Sequence, residues 1–206
     1  MFNYLNNKEK EDEKEGEKDK AGSMSDKLLK ARKIIISSEV DSKLANKVVN
    51  QLLLLEEDDP EKPITIFINS PGGEIFSGFA IFDMMKFVKP IIKTVVIGFA
   101  ASMGSILALG AEHGHRYALT NAMFLIHQPL ISGVYRGSAA DIEIQAKEMI
   151  NTKNRIINLY VESTGKTYDE IKKDIDRDFW MTAEQAAKYG PKALIDKVIT
   201  STSELE

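Results

Sequence analysis

Residues 64–88 read ITIFINSPGGEIFSGFAIFDMMKFV. Ile64 to Ser70 is an apolar run of strand length, Pro71-Gly72-Gly73 breaks it, and Ile75 to Val88 makes an amphipathic helix that Pro90 stops. The same order repeats at once. A strand TVVIG begins at Thr94, passes through Ala100-Ala101-Ser102, and enters a helix of small residues that ends at Gly110. Two β-α units in succession predict an α/β domain with a largely parallel sheet, and such sheets place their sites at the carboxyl ends of the strands.

The pattern extends outward from these units. Upstream, KIIIS over residues 33–37 predicts a short buried strand. Asp41 and Ser42 then offer caps to a helix whose Leu44, Val48, Val49, Leu52 and Leu53 share one face. Downstream, RYAL and MFLIH read as strands. Residues Ser138 to Ser163 read as one long helix, with Ser138 as N-cap and Gly165 just past its end. Shorter helices are expected to begin near Thr167 and Thr182.

Composition narrows the chemistry. The chain has 206 residues, 43% hydrophobic and 28% charged, a net charge of −4 and no cysteine. That length suits one domain, expected over residues 25–206. Residues 1–24 form a tail whose KEKEDEKEGEKDK run (8–20) cannot bury apolar surface. Disorder or a fraying helix is expected there; a propeptide, a regulatory tail and a plain solvated extension all remain open. Without cysteine there is no disulfide framework, thiolate nucleophile or Cys-type metal site. The mildly acidic charge gives no nucleic-acid footprint. No apolar leader follows Met1, and the uncharged run Thr94–Ala111 reads as a buried strand and helix rather than a membrane span. A cytoplasmic location is the expectation.

Four groups of residues carry possible chemistry. Ser102 sits where a strand turns into a helix among small neighbours, and suits either a plain N-cap or a nucleophile; Ala100 departs from the Gly-x-Ser-x-Gly elbow. Of the three histidines, His113 and His115 lie in the loop AEHGHRY with no third metal ligand spaced to join them. His127 ends a strand, and suits a satisfied core residue or a general base equally. Asp176-Arg177-Asp178 offers a carboxylate to orient an imidazole, or simply a charged helix end. Ser70-Pro71-Gly72-Gly73 is a turn whose N–H groups can face an oxyanion.

Taken in register, these segments carry a resemblance. INSPGGEIFSGFAIFD, GFAASMGS, FLIHQPL, GSAADIEIQAKE and DRDFWMTAEQAAKYG resemble the Clp protease proteolytic subunit family, from about Asp26 to Thr200. The resemblance implies a crotonase-like ββα superhelix with a protruding handle helix. It implies an ATP-dependent serine endopeptidase with Ser102 as nucleophile, His127 as base and Asp178 as the residue that orients the histidine. It further implies an oxyanion hole from the N–H groups of Gly72 and Met103, inter-ring contacts at Asp176 and Arg177, and no metal or cofactor. The implied assembly is two stacked heptameric rings, homomeric or mixed with a paralogous subunit. The resemblance also implies an AAA+ Clp ATPase that threads unfolded polypeptide into their chamber, with neither nucleic acid nor membrane involved.

Some positions depart from the family pattern. The charged tail replaces a hydrophobic N-terminal loop, Thr65 replaces an aromatic beside Phe67, and Glu74 follows the paired glycines. Leu130–Gly137 is two residues longer than the usual segment that pairs with substrate by strand addition. These departures admit a regulatory or weakly active subunit that needs a paralogue. A crotonase-fold acyl-CoA enzyme, which works through carboxylates, is the more distant alternative.

Overall fold

The structure is a computed structural model, and it describes residues 24–130 and 136–205. The charged tail, apart from Met24, and the centre of the Leu130–Gly137 segment, expected to be longer than usual, lie outside the described residues.

Helix α1 (Met24–Lys30) leads into strand β1 (Lys33–Ile36), helix α2 (Ser42–Asp58) and strand β2 (Ile64–Ser70). Helix α3 (Ile75–Phe87), strand β3 (Ile92–Ala101) and the short helix α4 (Met103–Ala108) come next. Strands β4 (Arg116–Leu119) and β5 (Met123–Ile126) precede the long helix α5 (Ala139–Thr164). Helix α6 (Tyr168–Asp174), strand β6 (Phe179–Thr182), helix α7 (Ala183–Ala186) and strand β7 (Lys197–Ile199) complete the order, ending in a 3₁₀ turn, Thr202–Leu205.

The main path of the sheet runs β1-β2-β3-β4-β7 and is parallel throughout, as the β-α order predicts. Strand β3 is longer than TVVIG and serves two neighbours. Its Thr94–Val96 stretch pairs with β4, and its Phe99–Ala101 stretch pairs with β5. Strand β6 then lies antiparallel on β5. The inward faces are aliphatic: Ile34, Ile36, Ile64, Ile66 and Ile68 are essentially inaccessible, which supplies the burial that holds the layers together. Arg32 ties the start of β1 to the end of α2, its guanidinium donating to the carbonyls of Leu55, Asp59 and Lys62.

Helix α5 begins in a reciprocal capping box between Ser138 and Asp141 and ends at Gly165 in the left-handed conformation (φ 72°). Its final turns bury Ile156, Ile157, Tyr160 and Thr164. Residues 139–148 are exposed throughout, so this part of the helix protrudes from the domain. Along this helix Ile157 and Tyr160 are core, whereas Ile142 and Ile150 are exposed. Among the described residues no helix is long and apolar enough to cross a membrane.

Candidate active site

The carboxyl ends of β2, β3 and β5 converge on one cavity of about 770 Å³, lined among others by Gly72, Gly73, Ser102, Met103 and His127. Ser102 stands between β3 and α4 with φ 55° and ψ −122°, a region that is strained for any residue with a side chain. Its N–H donates to the Leu125 carbonyl at 2.9 Å, and its own carbonyl accepts from the Ser105 N–H at 3.0 Å. It occupies the N-cap position of α4, yet its hydroxyl makes no capping bond. Of the two readings of the sequence, the hydroxyl thus does not serve as the cap of α4 among the described residues.

The Pro71–Gly73 turn lies directly against Ser102. A Cβ on Gly72 (φ +88°) would fall 2.6 Å from the Ala101 oxygen and 2.8 Å from the Met103 nitrogen, so only glycine permits this approach. The Gly72 carbonyl accepts from the Val40 N–H at 2.7 Å, and the Gly72 N–H donates to Ser70 Oγ at 3.2 Å. The neighbouring N–H groups of Gly73 and Met103 make no hydrogen bond among the described residues. Gly73 therefore enters the site as a donor that the sequence alone did not single out.

His127 comes directly after β5, with only 16% of its side chain exposed. The β5–β6 register pairs Ile126 with Phe179, which sets Asp178 opposite His127 at the next position of the antiparallel ladder. His127 Nδ1 and Asp178 Oδ1 are 3.5 Å apart. Gln128 fastens the two segments together: its N–H donates to the Ile175 carbonyl at 2.7 Å and its Nε2 to the Asp176 carbonyl at 2.9 Å. Lys153 of α5 donates to Gln128 Oε1 at 2.8 Å. No hydrogen bond joins Ser102 to His127 among the described residues, although both line the cavity.

The remaining expected residues lie elsewhere. Asp176 and Arg177 are exposed and do not line the cavity; Arg177 turns back to the Asp176 carbonyl at 2.9 Å. His113 pairs with Asp196 at 3.4 Å, and neither residue lines the cavity; His115 buries an unpartnered Nδ1. Among the described residues no three His, Asp or Glu side chains are grouped to hold a metal ion.

A serine with a free hydroxyl, a histidine on the same cavity and an aspartate behind that histidine are the parts of a serine hydrolase. The chain belongs to the Clp protease family, whose model matches residues 15–202. It is 51% identical over 179 residues to "ATP-dependent Clp protease proteolytic subunit 1" of Protochlamydia amoebophila (strain UWE25), a match that covers 87% of this chain and 85% of that relative.

Proposed function

We propose that this chain is the proteolytic subunit of an ATP-dependent Clp protease, hydrolysing peptide bonds with Ser102, His127 and Asp178. The observation that carries the reading is the unengaged hydroxyl of Ser102, held in a strained turn on the cavity it shares with His127. His127 accepts the hydroxyl proton as Oγ bonds to the scissile carbonyl carbon. Asp178 holds the imidazole in the working tautomer and stabilises the cation that forms. The oxyanion is held by the Met103 N–H and by the Gly72–Gly73 pair; the Gly73 N–H is the freer of the two, since that of Gly72 already serves Ser70. His127 then returns the proton to the leaving amine as the C–N bond breaks, and water hydrolyses the ester by the same route.

The assembly belongs to the same reading: two stacked heptameric rings, joined through the protruding half of α5, with Asp176 and Arg177 at the contact. An AAA+ Clp ATPase supplies unfolded chains, and the cytoplasm is the proposed place of action. A second form of the reading is a subunit that reaches full activity only with a paralogous ring. The long His127–Asp178 contact and the presence of Glu74 on the cavity favour it. The test is labelling with a fluorophosphonate probe, located by peptide mass mapping, alongside cleavage of a short fluorogenic peptide with and without candidate partners. Labelling at Ser102 that Ser102→Ala abolishes supports the peptidase. No labelling, or labelling elsewhere, removes Ser102 as the nucleophile.

A further inference from the structure

A short hydrogen-bonded chain lies beneath the nucleophile. Ser105 Oγ donates to the Ser102 carbonyl at 2.6 Å and stands 2.7 Å from the Tyr160 hydroxyl. Ser105 is fully buried, and Tyr160 is 1% exposed. A serine hydroxyl carries one proton. Ser105 commits its proton to Ser102, so Tyr160 must be the donor in the second bond. Burial pushes the Tyr160 phenol far above its ordinary value, so it keeps its proton throughout the neutral range. The direction is therefore fixed, from Tyr160 to Ser105 to the Ser102 carbonyl.

That carbonyl is one end of a rigid plane. The peptide group joining Ser102 to Met103 carries the Ser102 C=O at one edge and the Met103 N–H at the other, and it does not twist. Whatever aims the carbonyl also aims the N–H. Without the chain, the Ser105 N–H is the one hydrogen bond left to the Ser102 carbonyl among the described residues. Tyr160 comes from the buried end of α5, so the helix that protrudes from the domain is joined to the plane beside the nucleophile by two hydrogen bonds.

We propose that Ser105 and Tyr160 are positioning residues that set the Ser102–Met103 peptide plane, and with it the direction of the Met103 oxyanion donor. The inference rests on the reading of Ser102 as nucleophile and Met103 as donor. Tyr160 also lines the cavity, but its hydroxyl is spent on Ser105, so both residues act on the oxyanion donor through one peptide group. An oxyanion donor works chiefly in the transition state, so misdirecting it lowers kcat and leaves KM nearly alone.

The experiment compares wild type, Tyr160→Phe, Ser105→Ala and the double variant, each as assembled protein matched to wild type in mass and thermal midpoint. Three quantities are measured: the rate of fluorophosphonate labelling at Ser102, and kcat and KM for a fluorogenic peptide. Tyr160→Phe keeps the ring and removes only the donor. Ser105→Ala is the second variant should the first fail to assemble. Each single variant is expected to lose about tenfold in kcat and in labelling rate, the worth of one buried hydrogen bond, with KM within about twofold. The double variant is expected to fall no further than Ser105→Ala, because Tyr160 acts only through Ser105. Wild-type kcat in both single variants, losses confined to KM, or losses that multiply in the double variant would overturn the proposal. Absence of labelling in the wild-type protein would instead remove the nucleophile assignment, and this inference with it.

Discussion

His127 Nδ1 stands 3.5 Å from Asp178 Oδ1, longer than a good hydrogen bond, although the β5–β6 ladder sets the two residues opposite one another. The ladder supplies the pairing, and the final closure is left to the side chains. Asp178→Asn is expected to lower peptide cleavage by about a thousandfold or more while leaving the assembled mass intact. Asp176→Ala is expected to shift mass toward smaller species. Paired native mass and cleavage measurements check both, and the reverse pattern would exchange the two roles.

Ser102 holds a conformation that glycine adopts freely. Ser102→Gly is therefore expected to be inactive yet more stable, by about 1 kcal/mol once the greater freedom of glycine in the unfolded chain is subtracted. For a domain of this size that is a rise of about 2–4 °C in melting temperature. Calorimetry decides it, and a lower midpoint would show that no strain is released there.

Gly72 and Gly114 both have positive φ, but their surroundings differ. A Cβ at Gly72 would meet the Ala101 oxygen at 2.6 Å, whereas one at Gly114 (φ +91°) would meet nothing within 4 Å. Gly72→Ala is expected to abolish cleavage and cost stability; Gly114→Ala should cost about 1 kcal/mol and leave cleavage unchanged. Comparable activity in the two variants would count against a tight fit of the Pro71–Gly73 turn on Ser102.

Ile142, Ile144 and Ile150 are 51%, 58% and 59% exposed on the free half of α5. Apolar side chains there have no partner within the protomer's core, so Ile144→Glu should scarcely change the protomer's stability. If this half joins the rings, the same change disperses them, and sedimentation velocity reads the result. An unchanged sedimentation coefficient would move the ring contact elsewhere.

At the other end of the chain, Glu204 accepts from Lys197, Thr200 and Ser201, and Lys197 Nζ lies 2.6 Å from its Oε2. The Lys197 contact and the two backbone N–H groups pull its carboxyl from 4.5 down to about 2. A depressed carboxyl stabilises the turn above its ordinary value and loses that effect as pH falls through the folded value. The Thr202–Leu205 turn is thus expected to hold at neutral pH and loosen as pH drops from 4.5 toward about 2. Hydrogen exchange in this segment should show the loosening, and Glu204→Gln should remove its pH dependence.

Much of this arrangement is local, and local features are legible in a sequence. The β-α alternation from Ile64 to Ala111 arises from apolar runs and breakers, and Ser138 and Gly165 mark the ends of α5 by their caps. Strands β6 and β7 are another matter. Four and three residues long, they have too short a period to read and exist because distant partners receive them. Ser102 as cap or nucleophile turns on where one hydroxyl points, which no spacing encodes. Tyr160 falls on the core face by its period, but nothing in that period names Ser105 as its partner. Gly72 and Gly73 are alike in sequence; only the bond from the Gly72 N–H to Ser70 tells their N–H groups apart.

The branching of β3 between β4 and β5 bears on how this protein comes into being. Ser102 leaves the ribosome well before Asp178, and Asp178 reaches His127 only after β6 has paired with β5, which itself rests on the far end of β3. Contacts this distant along the chain form late in folding. During synthesis, then, the emerging polypeptide carries Ser102 before Asp178 stands behind His127. If the proposed triad is what cuts, cleavage by this chain waits until nearly all of its residues have been translated.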